Sequence, residues 1–292
     1  MNYIDINSNE YPYLLRQIKD PPPKLYFKKE WDSDIFSETL SVVGSRKMTR
    51  YGEIITDLII SAVAPEGITV VSGFMYGIDA QAHSAAVEIG GRTIAVMPCG
   101  IDLIHPEYQI NLHEKIIKNN GLIVSEYPGD TPPALWTYPR RNRIIAGLSP
   151  ILLVVEAGVK SGALITAKIA KKYNKKIFAV PGPLTSSVSI GTANLIKNGA
   201  QIVTDVQDIL SEYGKTKNNE LFSNKEFYGL NRTQTKILKL LANEPLSIDE
   251  LSRSVEKKIP EIGADITVLS LKRHLKLNEG KYYLINGGSN VI

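Results

Sequence analysis

The sequence predicts an α/β fold, with an extended Rossmann-like, doubly wound and mostly parallel sheet followed by a small C-terminal winged-helix domain. Between residues 41 and 210, short runs that are apolar throughout alternate with stretches whose apolar residues recur at helical spacing. This alternation is typical of parallel strands covered by helices on both faces. At 292 residues, the chain also exceeds one typical domain.

Seven apolar runs are predicted to be buried strands, at residues 41–44, 68–73, 92–98, 121–126, 151–157, 176–182 and 201–205. Helical spacing is clearest at residues 51–64 and 162–173. Ligands of such sheets bind at the carboxyl ends of the strands, where loops lead into helices. These loops are therefore the place to look for a site.

The predicted domain boundaries follow changes in composition and in the spacing of apolar residues. Three consecutive prolines at residues 21–23 indicate an irregular start. Near the other end, Ser247 and Glu250 have the spacing of a capping box, within a pattern of three short helices and a hairpin. The predicted segments are a reduced leader (1–40), the Rossmann-like domain (41–212), a polar linker (213–228), a winged-helix domain (229–286) and a tail (287–292).

The composition favours a cytoplasmic globular protein. The chain is 43% hydrophobic and 22% charged, it has no apolar stretch of about 20 residues, and its first residues lack a signal-peptide pattern. A single cysteine, Cys99, excludes an intrachain disulfide and a multi-cysteine zinc site. The formal net charge of +4 permits a polyanionic partner without requiring one.

The first strand is followed by a candidate phosphate site formed by Gly44, Ser45 and Arg46. A helix that begins shortly afterwards would direct free N–H groups at an anion, and a guanidinium adds a forked donor. A helix cap with a surface arginine explains the same residues equally well. The sequence contains neither a G-x-G-x-x-G fingerprint nor a phosphate loop with its lysine, which argues against dinucleotide redox chemistry and ATP hydrolysis.

A second candidate region interleaves basic and aromatic residues ahead of the strand at 151–157. In such a mixture the basic side chains neutralise phosphates and the aromatic side chains stack on bases. Sites that bind single strands without sequence preference combine these two features. A solvated, charged helix face is the alternative. The members are Trp136, Tyr138, Arg140, Arg141, Asn142 and Arg143.

A third candidate lies after that same strand, where Ser161 and Gly162 open a helix and Thr166 follows one turn later. This helix start is a second possible anion site. The glycine-punctuated loop at 187–200 either lines the same pocket or closes the fold.

The acidic and histidine side chains near strand ends do not form a convincing catalytic set. Asp79 and His83 are four residues apart on one helical face, which suits acid–base work or half a metal site, but a structural role is favoured. Asp102 and His105 resemble a weaker version of the same pattern, and Glu156 ends a strand without a partner base. We therefore expect no enzyme activity, no metal and no cofactor.

In order along the chain, these motifs resemble the DNA-processing protein A family, also called DprA or Smf. The matching segments are YPYLLRQIKDPPPKLY, GSRKMTRYG, SGFMYGIDAQAH, GIDLIHPEYQIN, SEYP, YPRRNRIIAGLS, SGALITA, AVPG and GTANLIKNGA. The resemblance implies a dimeric protein that binds and protects single-stranded DNA and helps to load the RecA recombinase in natural transformation. It places Gly44, Ser45 and Arg46 in the DNA pocket, with the YPRRNR arginines and the turn at Ser161 and Gly162.

The sequence departs from the family pattern at several points. Tyr76 replaces a residue that is commonly basic, and the loop around Asn194 reads GTAN. The N-terminal helical domain of many members is reduced to the leader, and the C-terminal winged helix matches less well. We expect the Rossmann-like domain to dimerise, because two pockets on one strand make the second contact intramolecular. The candidate surface is its last helix and strand, through Leu195, Ile196, Ile202 and Val203.

Two rival functions follow from the same fold. A LOG-type nucleotide phosphoribohydrolase uses a related sheet, but its PGGxGTxxE loop, with a catalytic glutamate, reads EAGVKSGALITAKIA here. A winged-helix regulator that senses a nucleotide needs base-reading side chains. The candidate recognition helix is mostly apolar apart from Lys272, Arg273 and His274.

Overall fold

The computed structural model describes residues 2–216, 230–242, 244–272 and 274–285. They belong to two compact units, the first ending at Thr216 and the second containing the described residues from 230 onward. Most of the predicted linker, the predicted tail and Arg273 lie outside the described residues.

The first unit is built on a nine-stranded sheet with helices on both faces. The strands are β1 (Tyr3–Asp5), β2 (Lys24–Lys28), β3 (Thr39–Val43), β4 (Thr69–Ser72), β5 (Thr93–Val96), β6 (Leu122–Ser125), β7 (Ile151–Val154), β8 (Lys176–Ala179) and β9 (Gln201–Ile202). The helices are α1 (Tyr13–Arg16), α2 (Arg50–Val63), α3 (Ile78–Glu88), α4 (Ile110–Lys118), α5 (Thr137–Leu148), α6 (Gly162–Lys172), α7 (Ile190–Lys197) and α8 (Gln207–Leu210). Over the described part of the chain, no helix has both the length and the apolar character needed to cross a membrane.

The predicted parallel sheet is confirmed. All seven predicted strands are present as β3 to β9, and every pairing among them is parallel. Alternate side chains of each strand point to opposite faces. Leu152 and Val154 face one core layer with Ile144, while Leu153 faces the other with Ile59. Burial on both faces explains why these strands are apolar throughout.

The prediction of an irregular leader over residues 1–40 is wrong. Strand β2 joins the sheet antiparallel to β6, with Tyr26 opposite Ser125, and β1 pairs antiparallel with β2. Leu25 is fully buried and Phe27 packs at 4.9 Å from the Trp31 ring. The segment KLYFK has three consecutive apolar or aromatic residues, as is typical of a strand, and the prolines end just before it.

The strand order is β1-β2-β6-β5-β4-β3-β7-β8-β9. From β3 the chain steps outward through β4, β5 and β6, then α5 carries it back to β7 on the other side of β3. The order therefore reverses between β3 and β7. In open α/β sheets, loops diverge at such a switch point and leave a crevice at the carboxyl ends of the strands.

The described residues of the second unit form three helices and a three-stranded antiparallel sheet, ordered β10-β12-β11. The elements are α9 (Arg232–Leu241), β10 (Leu246–Ser247), α10 (Ile248–Val255), α11 (Ile259–Leu271), β11 (Leu275–Asn278) and β12 (Lys281–Leu284). Ser247 and Glu250 form the expected capping box, each side chain accepting from the other's backbone N–H. Three helices and a hairpin thus lie where the sequence places them, and the winged-helix assignment stays a prediction.

Candidate nucleic-acid interface

An open cavity of about 490 Å³ lies at the switch point between β3 and β7. Its walls are the loop after β3, the start of α3, the first half of α5, and the loop after β7 together with the start of α6. Four cationic side chains, Arg46, Lys47, Arg141 and Lys160, line it against one carboxyl, that of Asp79. The cavity is therefore suited to an anionic ligand.

Eight of the ten predicted site residues line this cavity, although they come from three separate segments of the chain. They are Gly44, Ser45, Arg46, Arg141, Asn142, Ser161, Gly162 and Thr166. Arg140 and Arg143 do not line it. The loop at 187–200 contributes Val188 to the wall. Contact between any of these residues and DNA stays a prediction.

Close packing explains the glycine at position 44. A Cβ there would lie 2.5 Å from Cγ1 of Ile78, and a Cβ on Gly77 would lie 2.2 Å from the carbonyl oxygen of Ser45. The start of α3 thus presses directly on the loop after β3. The hydroxyl of Ser45 accepts from the N–H of Lys47 at 3.0 Å, so a tight turn presents Arg46 and Lys47 to solvent.

The helix start expected to bind phosphate after β3 is already occupied by a side chain of the protein. Thr49 caps α2, its backbone N–H donates to Oε2 of Glu156 at 2.9 Å, and its hydroxyl donates to Oε1. Glu156 is 2% exposed. Its carboxylate supplies the negative charge that a helix N-terminus attracts. The start of α2 therefore fits the helix-cap alternative, and phosphate binding by Gly44, Ser45 and Arg46 stays a prediction.

The start of α6 is open to the cavity. The hydroxyl of Ser161 accepts from the N–H of Ala163 at 3.3 Å, and Gly162 has open space where a Cβ would be. Lys160 stands beside this turn with an exposed side chain. Thr166 is buried one turn later, with its hydroxyl directed at the carbonyl oxygen of Gly162. The N-terminus of α6 therefore lines the same cavity as the exposed cations Arg46, Lys47 and Lys160.

Arg46 lies among aromatic rings. Its guanidinium carbon is 5.4 Å from the ring centre of Tyr138 and 5.9 Å from that of Tyr76. Tyr76 stacks on Tyr108 with a centroid distance of 6.0 Å and an interplanar angle of 18°. Both rings are exposed, at 43% and 66%. His105 anchors Tyr138 through a 2.8 Å hydrogen bond between its Nε2 and the phenol.

Arg141 is buried and has a structural role. It is 3% exposed, and its Nη1 donates to the carbonyl oxygens of Gly73 and Val96 at the ends of β4 and β5. Asp79 lies beside it. Burial raises the pKa of Asp79 to about 6, and the positive charge of Arg141 opposes that shift. Burial lowers the pKa of Arg141 to about 10, which leaves it charged at neutral pH.

Arg143 and Arg140 form ion pairs away from the cavity. Nη2 of Arg143 lies 2.6 Å from Oε2 of Glu126 and its Nε lies 3.1 Å from Asp20, with the Arg143 side chain 6% exposed. Nε of Arg140 lies 3.3 Å from the same Glu126 oxygen, but that side chain is 49% exposed. The compact cluster of arginines in the sequence therefore divides into two structural residues and one that remains accessible.

The suspected acid–base groups have structural partners. Nδ1 of His83 lies 2.7 Å from the hydroxyl of Thr93, and burial lowers the pKa of His83 to about 3. Asp102 pairs with Lys28 at the end of β2. Among the described residues, no three carboxylate, histidine or cysteine side chains are close enough to hold a metal ion. Cys99 is a buried free cysteine.

A family model described as DNA recombination-mediator protein A matches residues 2–214 of this chain. Protein Smf of Escherichia coli is 35% identical over 99% of the chain and 78% of that protein. The chain belongs to the DNA-processing protein A family. It is therefore a DNA-processing protein, and the resemblance read from its motifs is confirmed.

Two solved structures of the family share the fold of the first unit. That of DNA processing protein A from Streptococcus pneumoniae is 36% identical, with a TM-score of 0.68 over 72% of this chain and 74% of that one. That from Helicobacter pylori is 30% identical, with a TM-score of 0.65 over 73% and 96%, and is described as binding single-stranded DNA. In each case the matched share of this chain is about the size of its first unit.

Three residues in or beside the cavity are absent from the predicted site. Lys47 and Lys160 directly adjoin predicted residues, so extending each motif by one position finds them. Tyr108 is different, because it comes from the loop after β5 and meets Tyr76 only in the folded chain. No local pattern indicates that pairing.

Proposed function

We propose that this DNA-processing protein binds single-stranded DNA in the cavity between β3 and β7. The carrying observation is that Arg46, Lys47 and Lys160 converge there on the open N-terminus of α6. Exposed cations beside the positive end of a helix dipole match a phosphate of the DNA backbone. The single-strand binding described for the Helicobacter pylori relative supports the same ligand.

The exposed pair Tyr76 and Tyr108 supplies a platform for a base next to this phosphate grip. Aromatic faces stack on any base, and each stacked base contributes about 1 to 3 kcal/mol. Arg46 lies within reach of both the cavity and the Tyr76 ring. One arginine thus links the phosphate site to the stacking site, which favours an unpaired strand whose bases are free to turn outward.

Protection of incoming strands and loading of RecA in natural transformation complete the proposal. The name of the matching family, a recombination mediator, supports this role. A protein that holds a strand by backbone contacts and a few stacked bases leaves the rest accessible to a recombinase. The test is RecA ATPase activity on single strands that are coated with a single-strand-binding protein. The lag before this activity begins should shorten when the present protein is added.

We further propose that the chain acts by binding, without turnover. Glu156 accepts two hydrogen bonds from Thr49 and holds α2, and Asp79 lies beside Arg141. Neither is free to act as a general acid or base in the sense that N-glycosidic chemistry requires. Release of base from a nucleoside monophosphate that is lost on mutation of Glu156 or Asp79 would favour the phosphoribohydrolase alternative instead.

The decisive experiment is Arg46→Glu, measured by fluorescence anisotropy on a labelled oligothymidylate. Reversing the charge at the phosphate grip should weaken binding by about tenfold or more, since it removes one contact and repels the backbone. Lys118→Glu, an equal charge change on an exposed residue of α4, is the matched control and should bind like wild type. A folded Arg46→Glu protein with wild-type affinity would contradict the proposal.

A further inference from the structure

Helix α6 contributes to two cavities of the first unit. Its first turn lines the large cavity through Gly162, Ile165 and Thr166. Its last residue, Lys172, lines a second cavity of about 320 Å³ together with the residues that follow the helix. The helix has 11 residues, so its two ends are about 16 Å apart.

One face of α6 connects these cavities. Residues 161, 165, 168 and 172 are spaced by four, three and four positions, which places them within one narrow stripe of a helix. Ile165 is 48% exposed, and Lys168 and Lys172 are exposed. The stripe therefore runs from the open helix start, past Lys168, to the second cavity, with apolar and cationic surface available along its length.

The second cavity is cationic. It is lined by Leu14, Gln17, Ile18, Lys19, Lys172, Tyr173, Asn174 and Lys175. Three of these side chains are lysines and none is acidic. The nearest acid in the sequence, Asp20, is engaged by Arg143 at 3.1 Å. Lys175 is half-buried, and its ammonium lies 3.5 Å from the carbonyl oxygen of Gly147.

The basic stripe exceeds what stabilisation of the helix requires. Cations in the last turn of a helix complement its dipole, which accounts for Lys171 and Lys172. Lys168 lies a turn earlier, where that effect has faded, and Lys19 comes from a different segment. From residue 158 to 176 the chain contains six lysines and no acidic residue. Within the described part of the chain, no carboxylate lies within ion-pair distance of Lys19, Lys168 or Lys172.

We propose that single-stranded DNA leaving the main cavity runs along α6 and places a second phosphate in the cavity formed by Lys19, Lys172 and Lys175. This inference rests on the proposed function and extends it to a path. The bound strand would cross Lys168 on the way, with sugars or bases against Ile165. Strands too short to reach Lys172 would use the main cavity alone.

The test compares a short and a long oligothymidylate, of about 4 and about 16 nucleotides, the range that single-strand sites commonly span. The full-length double variant Lys168→Gln/Lys172→Gln should bind the short strand like wild type, because neither lysine lines the main cavity. It should bind the long strand about 5- to 10-fold more weakly. The slope of log affinity against log salt should fall by about 1.4, as two phosphate contacts are lost.

The matched control is Lys115→Gln/Lys118→Gln, which removes two exposed charges from α4. It should bind both strands like wild type. An equal loss with the control pair, or an unchanged long-strand affinity and salt slope in the test pair, would overturn the path while leaving the main site intact. Absence of binding to either strand by the wild-type protein would overturn the proposed function and the path together.

Discussion

At the scale of single residues, side-chain chemistry indicates what a residue is able to do, and burial decides what it does. Arg140, Arg141 and Arg143 are within four positions and look equivalent in the sequence. On helix α5, two of them point into the protein and meet carbonyl oxygens or carboxylates, and only Arg140 stays half exposed. Loss of a buried arginine and loss of an exposed one should therefore have different consequences.

The first residue-scale prediction concerns stability. Arg141→Gln should lower the free energy of unfolding by about 3 to 5 kcal/mol, because it leaves Asp79 and two carbonyl oxygens buried without their cation. Arg140→Gln should cost less than about 1 kcal/mol, because the Arg140 side chain is half exposed and Glu126 keeps its ion pair with Arg143. Urea denaturation measures both. Equal effects of the two substitutions would contradict the structural role of Arg141.

The second residue-scale prediction concerns pH. His83 is neutral in the folded protein because burial lowers its pKa from 6.5 to about 3. Between these values the unfolded chain binds the proton and the folded chain does not, so His83 makes stability fall as the pH drops below 6.5. The expected contribution is about 1.4 kcal/mol per pH unit.

The raised pKa of Asp79 acts in the opposite sense and hides this slope in the wild-type protein. From about pH 4 to pH 6 the folded chain holds the Asp79 proton more tightly than the unfolded chain, so that group makes stability fall as the pH rises. The measurement is therefore the difference in unfolding free energy between wild type and His83→Gln as a function of pH. A difference that is constant from pH 7 to pH 4 would show that His83 does not stay neutral.

At the scale of secondary-structure elements, the two helices that begin at the switch point serve opposite purposes. The N-terminus of α2 is closed by Thr49 and Glu156, whereas that of α6 is open to the cavity. Gly52 makes the first arrangement possible, since a Cβ at that position would lie 2.4 Å from Oε2 of Glu156. The helix approaches the carboxylate only because this side chain is missing.

The element-scale prediction is that Gly52→Ala lowers the free energy of unfolding by about 1 to 3 kcal/mol through overpacking. Gly263→Ala in α11 is the control, because a Cβ there meets nothing within 4 Å. That substitution should stabilise its helix by about 0.5 to 1 kcal/mol. Thermal unfolding monitored by circular dichroism distinguishes the two signs. A stabilising Gly52→Ala would contradict the close contact with Glu156.

At the scale of the whole molecule, the dimer that the family resemblance implies would use the edge of the sheet. Strand β9 pairs only with β8 among the described strands, and Ile202 on it is 45% exposed. Val203 is 8% exposed and Leu195 packs against the core, so these two belong to the fold. Of the four candidate interface residues, Ile202 presents the most apolar surface.

The whole-molecule prediction is that Ile202→Glu converts a dimer at micromolar concentration into a monomer in sedimentation velocity. Leu58→Glu, on an equally exposed apolar residue of α2, should leave the dimer intact. Because two linked sites make the second contact intramolecular, the monomer should bind long strands roughly 100-fold more weakly than the dimer. Wild-type protein that sediments as a monomer, or a dimer that tolerates Ile202→Glu, would contradict this interface.

The sequence by itself determined the parallel sheet, its seven strands and the loops that carry the site. Continuous apolar runs and helical spacing are local patterns, and topology then directs strand ends and glycine-rich loops to one edge. Eight of ten predicted residues line one cavity for that reason. Membership in the DNA-processing protein A family could also be predicted, because its motifs are short segments that follow one another in a fixed order along the chain.

Only the tertiary structure decided which charged groups face the cavity. Glu156 binds Thr49 across 107 positions, and Arg141 reaches the carbonyl oxygen of Gly73 across 68. The leader becomes part of the sheet through pairing between Tyr26 and Ser125. Each of these contacts joins segments far apart in the chain. The interaction energy of a charge is also largest where folding has excluded water. Local patterns carry no record of either condition.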